Sequence, residues 1–165
     1  KTAGIFSELS SASNIALARL SRISRGGFIR AALERKAAKS VSHRVALADR
    51  YLPVAVGALS GGNQQKALLA RALMTGAKCL VLFDPARGVD VGTKQSIYAM
   101  MRQFVSEGGG IIFYSSELSE LVELSSRCVA MYDGRITGEL EGDQLNEEAL
   151  LAAAHGASPI QQKAG

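Results

Sequence analysis

Apolar positions change their period part-way along the chain. Over residues 13–51 they recur at helical spacing. Ile15-Ala16-Leu17-Ala18-Arg19-Leu20 makes a short helical segment with Ser13 or Asn14 as its cap, and Ile29, Leu33, Ala37, Val41 and Val45 line one side of a longer helix. Arg25-Gly26-Gly27 separates the two. Pro53 and Gly57 mark a connection, after which residues 62–74 read as a helix capped by Ser60 and stopped by Gly76.

From there strands and helices alternate. Cys79-Leu80-Val81-Leu82-Phe83 is a continuous apolar run, as expected of a parallel strand buried on both faces. Residues 91–105 are helical, with Ile97, Met101, Phe104 and Val105 on one side. Gly108-Gly109-Gly110 leads into a strand over 111–114, and a helix follows over 118–124. Strands over 127–132 and 135–140 flank Asp133-Gly134, a strong hairpin signal. A last helix opens near Asn146, with Glu147 and Glu148 where acids suit its dipole, and closes at Gly156. The pattern divides the chain into a helical region over residues 1–58, an α/β portion over 59–156 and a flexible tail over 157–165.

Composition narrows the class. With 165 residues, 47% hydrophobic and 21% charged, the chain reads as one globular domain. No apolar run approaches the ~20 residues of a membrane-spanning helix. Lys1-Thr2-Ala3-Gly4 lacks the apolar core of a signal peptide, and the absence of an initial Met suggests a piece of a longer protein. The net charge of +4 is modest, and the basic cluster over 30–39 is interrupted by alanines and Glu34. That cluster reads as a solvated helix face, and no nucleic-acid partner is expected. Cys79 and Cys128 sit in apolar runs and are expected as reduced core residues. His43 in a basic helix and His155 at a helix end are isolated, so no metal site is expected.

The chemistry concentrates in Leu59-Ser60-Gly61-Gly62-Asn63-Gln64-Gln65-Lys66. A loop that becomes a helix here leaves bare N–H groups and a hydroxyl at the positive end of the dipole, where phosphate is attracted. Downstream come the apolar strand, then Asp84-Pro85-Ala86-Arg87-Gly88-Val89-Asp90, and a second strand ending at Ser115-Ser116-Glu117. These pieces, in this order, resemble the second half of an ABC-type ATPase domain. The resemblance extends to the C-terminal nucleotide-binding domain of the double-domain ATPases that power bacterial sugar importers of the ribose/galactose type.

That resemblance implies an incomplete P-loop NTPase-like α/β fold, with a helical subdomain, a parallel-sheet segment and a C-terminal hairpin. It implies that Ser60, Gly61, Gly62, Asn63 and Gln64 are the signature, closing over ATP held on a facing domain. Asp90 ends the segment that resembles the D-loop, which touches the partner's site; it also suits a helix N-cap. Asp84 matches the catalytic carboxylate after the Walker B strand, with a turn-capping role as the alternative. Ser116 stands where most such domains carry a switch His, and Ser-Ser-Glu is characteristic of the sugar-importer group.

Two departures bear on activity. Phe83 stands where the family places its Mg²⁺-side Asp, and a ring cannot supply the oxygen ligand. No Gly is followed by Lys, so the P-loop is missing from this chain. The resemblance therefore implies ATP and Mg²⁺ in an assembled site, not in this chain alone. It implies an N-terminal ABC domain or second ATPase subunit, membrane permease subunits and, indirectly, a periplasmic sugar-binding protein as partners, with the chain cytoplasmic on the inner face of the membrane. A degenerate, non-catalytic module is the alternative. The head of a DNA-repair or chromosome-structure ATPase is a weaker one, since no sustained heptad run is present.

Overall fold

The computed structural model describes residues 4–25 and 28–157, so the expected tail beyond Ala157 and the Gly26-Gly27 break lie outside the described residues. The chain forms two compact units, residues 1–113 and 114–165.

The first unit opens with helix α1 (Ser11–Ala16), capped by Ser10, whose hydroxyl accepts from the Ser13 N–H. The cap therefore sits three residues before Ser13, one of the two residues expected to provide it. Asn14, the other, is 2% exposed and ties the entry loop instead: its Oδ1 accepts from the Phe6 N–H, and its Nδ2 donates to the carbonyls of Phe6, Leu9 and Ser10. A 3₁₀ turn over Leu17–Arg19 and helix α2 (Leu20–Ile23) follow. The expected long helix is shorter than its apolar period. Strands β1 (Ser24–Arg25) and β2 (Phe28–Ile29) pair antiparallel and take Ile29 out of it, and α3 runs Ala31–Ser42. His43 and Val45 lie in a 3₁₀ turn, His43–Val45, where the chain leaves the helix through Ala46 at φ 51°.

Helix α4 (Gly61–Met74) packs on α1 and α3, with Ser60 as its cap and Gly76 at φ 72° ending the turn after it. Its Lys66 is buried and donates to the Ala46 carbonyl at 3.2 Å, so the α4 face and the α3 exit are locked together. Strand β3 (Cys79–Phe83), helix α5 (Val91–Ser106) and strand β4 (Gly110–Tyr114) form a crossover unit, and β3 and β4 are neighbours in one sheet. A helical crossover between neighbouring strands makes them parallel. Here the expectation of two buried faces fails. Leu80 is buried, whereas Val81 is 78% and Phe83 76% exposed, and Ile112 on β4 is 65% exposed. Cys79 is likewise exposed, not a core residue. One sheet face carries the layer of this unit; the other is bare and apolar.

The second unit contains α6 (Leu118–Leu124), the hairpin β5 (Arg127–Tyr132) and β6 (Arg135–Glu141), and α7 (Glu147–Ala154). Asp133 and Gly134 both have positive φ, as the expected tight hairpin requires. Buried Cys128, Leu140, Leu145 and Leu150 form its core, joined by Leu118, Leu121 and Val122. Asn146 caps α7 through the Ala149 N–H, and the Thr137 hydroxyl donates to the Ala153 carbonyl at 2.7 Å, fastening α7 to the hairpin.

Candidate functional site

Ser60 lies at the mouth of α4, in extended backbone (φ −60°, ψ 154°). Its hydroxyl accepts from the Asn63 N–H at 3.4 Å and from Asn63 Nδ2 at 3.1 Å. Gln64 donates its N–H to the Ser60 carbonyl and its Nε2 to the Leu59 carbonyl. Both side chains thus point back and brace the loop, leaving Ser60 and Gly61 exposed at the tip. Tyr51, on a 3₁₀ turn (Asp49–Tyr51), belongs to the same neighbourhood. Arg50 above all, and Asn63 to a lesser degree, hold its hydroxyl below the usual phenol pKa.

The two glycines serve opposite geometries. A Cβ placed on Gly61 would meet no atom within 4 Å. One placed on Gly62 would stand 2.9 Å from Thr93 Oγ1 and 3.1 Å from its methyl carbon. Gly62 is therefore a point of close approach between α4 and α5, whereas Gly61 keeps open the space in front of the loop.

Thr93 links this contact to Asp90. The Asp90 carboxylate accepts the Thr93 N–H at 2.9 Å and its hydroxyl at 2.8 Å, capping α5. Those bonds, the N–H first, hold its carboxyl below the ordinary Asp range. Ser60, Gly61, Gly62 and Asp90 thus gather around two adjoining helix N-termini, a juxtaposition their separation in the sequence does not show. Thr93 was not singled out by sequence; the Asp-x-x-Thr spacing of a capping arrangement is the signal that finds it.

Asp84 sits differently. It follows β3 at φ 45°, a left-handed conformation Asp tolerates, and its carbonyl accepts the Arg87 N–H at 3.2 Å. Its carboxylate lies 3.5 Å from the Arg87 guanidinium, with 9% of the side chain exposed. Asp84 thus opens a backbone turn, and its side chain faces Arg87. Phe83, beside it, is largely exposed.

Ser116 belongs to the second unit and is exposed at the end of β4. Its neighbour Ser115, 5% exposed, donates to the Glu120 carboxylate at 2.6 Å and accepts the Glu117 N–H at 3.0 Å. This buried pair sets the loop that presents Ser116; no hydrophobic period marks Ser115 in the sequence.

The sequence and the fold are matched elsewhere. Over 154 residues the chain is 42% identical to the "Ribose import ATP-binding protein RbsA 1" of Rhizobium johnstonii, covering 93% of this chain and 30% of that protein. It is 40% identical over 168 residues to the "Ribose import ATP-binding protein RbsA 2" of Escherichia coli O157:H7, covering 99% and 32%. The chain is related to the sugar-import ATPases and has the fold of an ABC-type nucleotide-binding domain. Among solved structures it superposes on the ATP-binding cassette MJ0796, in a dimeric post-hydrolysis state bound to ADP and Pi. The TM-score is 0.71 at 22% identity, over 83% of this chain and 58% of that one. A nucleotide-free cassette of an ABC transporter gives 0.74 at 19% identity, over 88% and 60%. No family model matches the chain. The chain therefore spans about a third of the length of the curated proteins it resembles.

Proposed function

We propose that the chain supplies the signature side of an ATP site in a sugar importer's ATPase, closing over a nucleotide cradled by a partner ABC domain. The observation that carries this reading is the Ser60–Gly61 tip. It presents a hydroxyl and the first N–H groups of a 14-residue helix to open space, while Asn63, Gln64 and Thr93 hold it from behind.

The tip suits a terminal phosphate. N–H groups at the start of a helix have no intrahelical acceptor, and the dipole favours an anion there. Gly61, with nothing in front of it, lets an oxygen approach backbone that a side chain would shield. ATP, when bound, supplies the phosphoanhydride whose cleavage does work. The chain's part is to donate hydrogen bonds from Ser60 and the backbone behind it, to exclude water on that side, and to link closure to Asp90 through Thr93. By the same resemblance Asp84, after β3, takes the role of orienting the attacking water; Ser116, in the second unit, takes that of the switch residue. For Mg²⁺ the side chains do not fit: Phe83 occupies the ligand position and offers no oxygen.

Ser60→Ala and Ser60→Arg in the assembled ATPase test the reading. Loss of a hydrogen bond to a charged group is worth about 1.5–3 kcal/mol, so Ala should slow turnover roughly 10- to 100-fold, and Arg at least as much. Were Ser60 only a helix cap, Ala would cost about 1 kcal/mol of stability and leave turnover intact. Melting temperature and ATP turnover, measured together, separate the two.

A further inference from the structure

By the resemblance, Asn63 and Gln64 belong to the groups that close over ATP. The structure commits their side chains elsewhere. Gln64 Nε2 donates to the Leu59 carbonyl at 3.0 Å, and Asn63 Nδ2 donates to Ser60 Oγ at 3.1 Å. Both residues are half-buried, whereas Ser60 in front of them is exposed.

The consequence lies in the polarity of one hydroxyl. A serine hydroxyl can accept two hydrogen bonds and donate one. Ser60 Oγ accepts from the Asn63 N–H at 3.4 Å and from Asn63 Nδ2 at 3.1 Å, so one residue fills both acceptor positions. Among the described residues no acceptor takes the Ser60 proton. The remaining direction, that of the O–H bond, leads away from Asn63. Ser10, the cap of α1, shows the contrast within the same chain. It accepts the Ser13 N–H at 3.0 Å, but its second partner is another hydroxyl, Ser13 Oγ at 2.9 Å, and either oxygen can donate. At Ser60 the second partner is an amide nitrogen, which only donates.

We infer that Asn63 is a positioning residue for the proposed ATP site: its amide fixes the Ser60 hydroxyl as a hydrogen-bond donor toward the ligand. An ionised phosphate oxygen has only lone pairs to offer, so it meets such a hydroxyl well, and a ligand group that must itself donate does not. A proton oriented before ATP arrives also loses less freedom on binding. The inference rests on the reading of the Ser60–Gly61 tip given above. It takes Asn63 out of direct contact with the nucleotide and makes it act through Ser60.

A double-mutant cycle on the assembled ATPase, read as ATP turnover, tests it. Asn63→Ala keeps the backbone N–H on Ser60 Oγ and removes the amide. It should slow turnover about 2- to 10-fold, the worth of a neutral hydrogen bond. In a Ser60→Ala background, itself slowed as predicted above, the same substitution should change turnover by less than about twofold, since no hydroxyl is left to orient. Equal slowing in both backgrounds would overturn the inference, because neither a direct contact of Asn63 with ATP nor a general loss of loop structure needs the Ser60 hydroxyl. Wild-type turnover of Asn63→Ala with Ser60 in place would overturn it as well. Wild-type turnover of Ser60→Ala is the separate outcome that removes the ATP reading, and this inference falls with it.

Discussion

Gly61 and Gly62 stand side by side in the signature and are constrained by different things. At Gly62 a methyl would press on Thr93, whose hydroxyl and N–H are both committed to Asp90, so it has little room to yield. Gly62→Ala should cost about 1–3 kcal/mol by overpacking, visible as a lowered melting temperature of the chain itself. At Gly61 nothing stands in the way, and Ala should leave the isolated chain as stable or raise it by about 0.4–1 kcal/mol through the unfolded state. If the loop closes on ATP as proposed, Gly61→Ala should lower turnover of the assembled ATPase, because the methyl fills the space left open to a phosphate oxygen. Equal turnover in wild type and Gly61→Ala would remove the reason for the open space. Acid sensitivity belongs to this scale as well. Thr93 depresses the Asp90 carboxyl, and Lys39 and then His43 depress that of Asp49. Both groups therefore contribute stability that is present above the unfolded Asp pKa of about 3.9 and is lost as pH falls through the lower folded values. Urea midpoints followed downward in pH should fall in that acid range, and Asp90→Asn should make the fall shallower.

The elements were legible in the sequence wherever one layer decides them. Residues 62–74 read as a helix because cap and period agree, and α4 occupies almost those bounds; α6 occupies the expected 118–124 without a side-chain cap. Asp133-Gly134 fixed the hairpin because only a few dipeptides accept two positive φ angles. The β1–β2 arm was missed because Ile29 happens to fall in register with Leu33 and Ala37, and period alone cannot tell a helix from the strand that feeds it. At the site, the Ser60 and Asp90 caps could be read locally, but their meeting through Thr93 is a tertiary contact that no local spacing encodes. Thr93→Val tests that contact. It deletes the hydroxyl bond to Asp90 at nearly constant volume, and should lower the melting temperature without changing the α5 N–H cap. If the contact between α4 and α5 positions the tip, turnover of the assembled ATPase falls with it; unchanged turnover would confine Thr93 to stability.

For the molecule as a whole, the missing P-loop decides what the chain does alone. With no Lys and backbone cradle for the β- and γ-phosphates, labelled ATP with Mg²⁺ should show no saturable micromolar site on the isolated chain. The second whole-molecule property is the bare face of β3 and β4. Val81→Lys with Ile112→Glu should keep the fold, because both side chains point away from the buried layer, and should raise the soluble monomer fraction in sedimentation. That face also explains why Cys79–Phe83 reads as a doubly covered strand. Its sequence is suited to two layers, and this unit brings only one.

A strand written for two neighbours and given one has a consequence inside a living cell. Until something covers Val81 and Phe83, the chain presents the kind of apolar surface by which chaperones and proteases sort newly made proteins. Co-expression with a chain that covers this face should therefore lengthen its lifetime in a pulse-chase; an unchanged lifetime would show that these exposed side chains are not what such sorting reads.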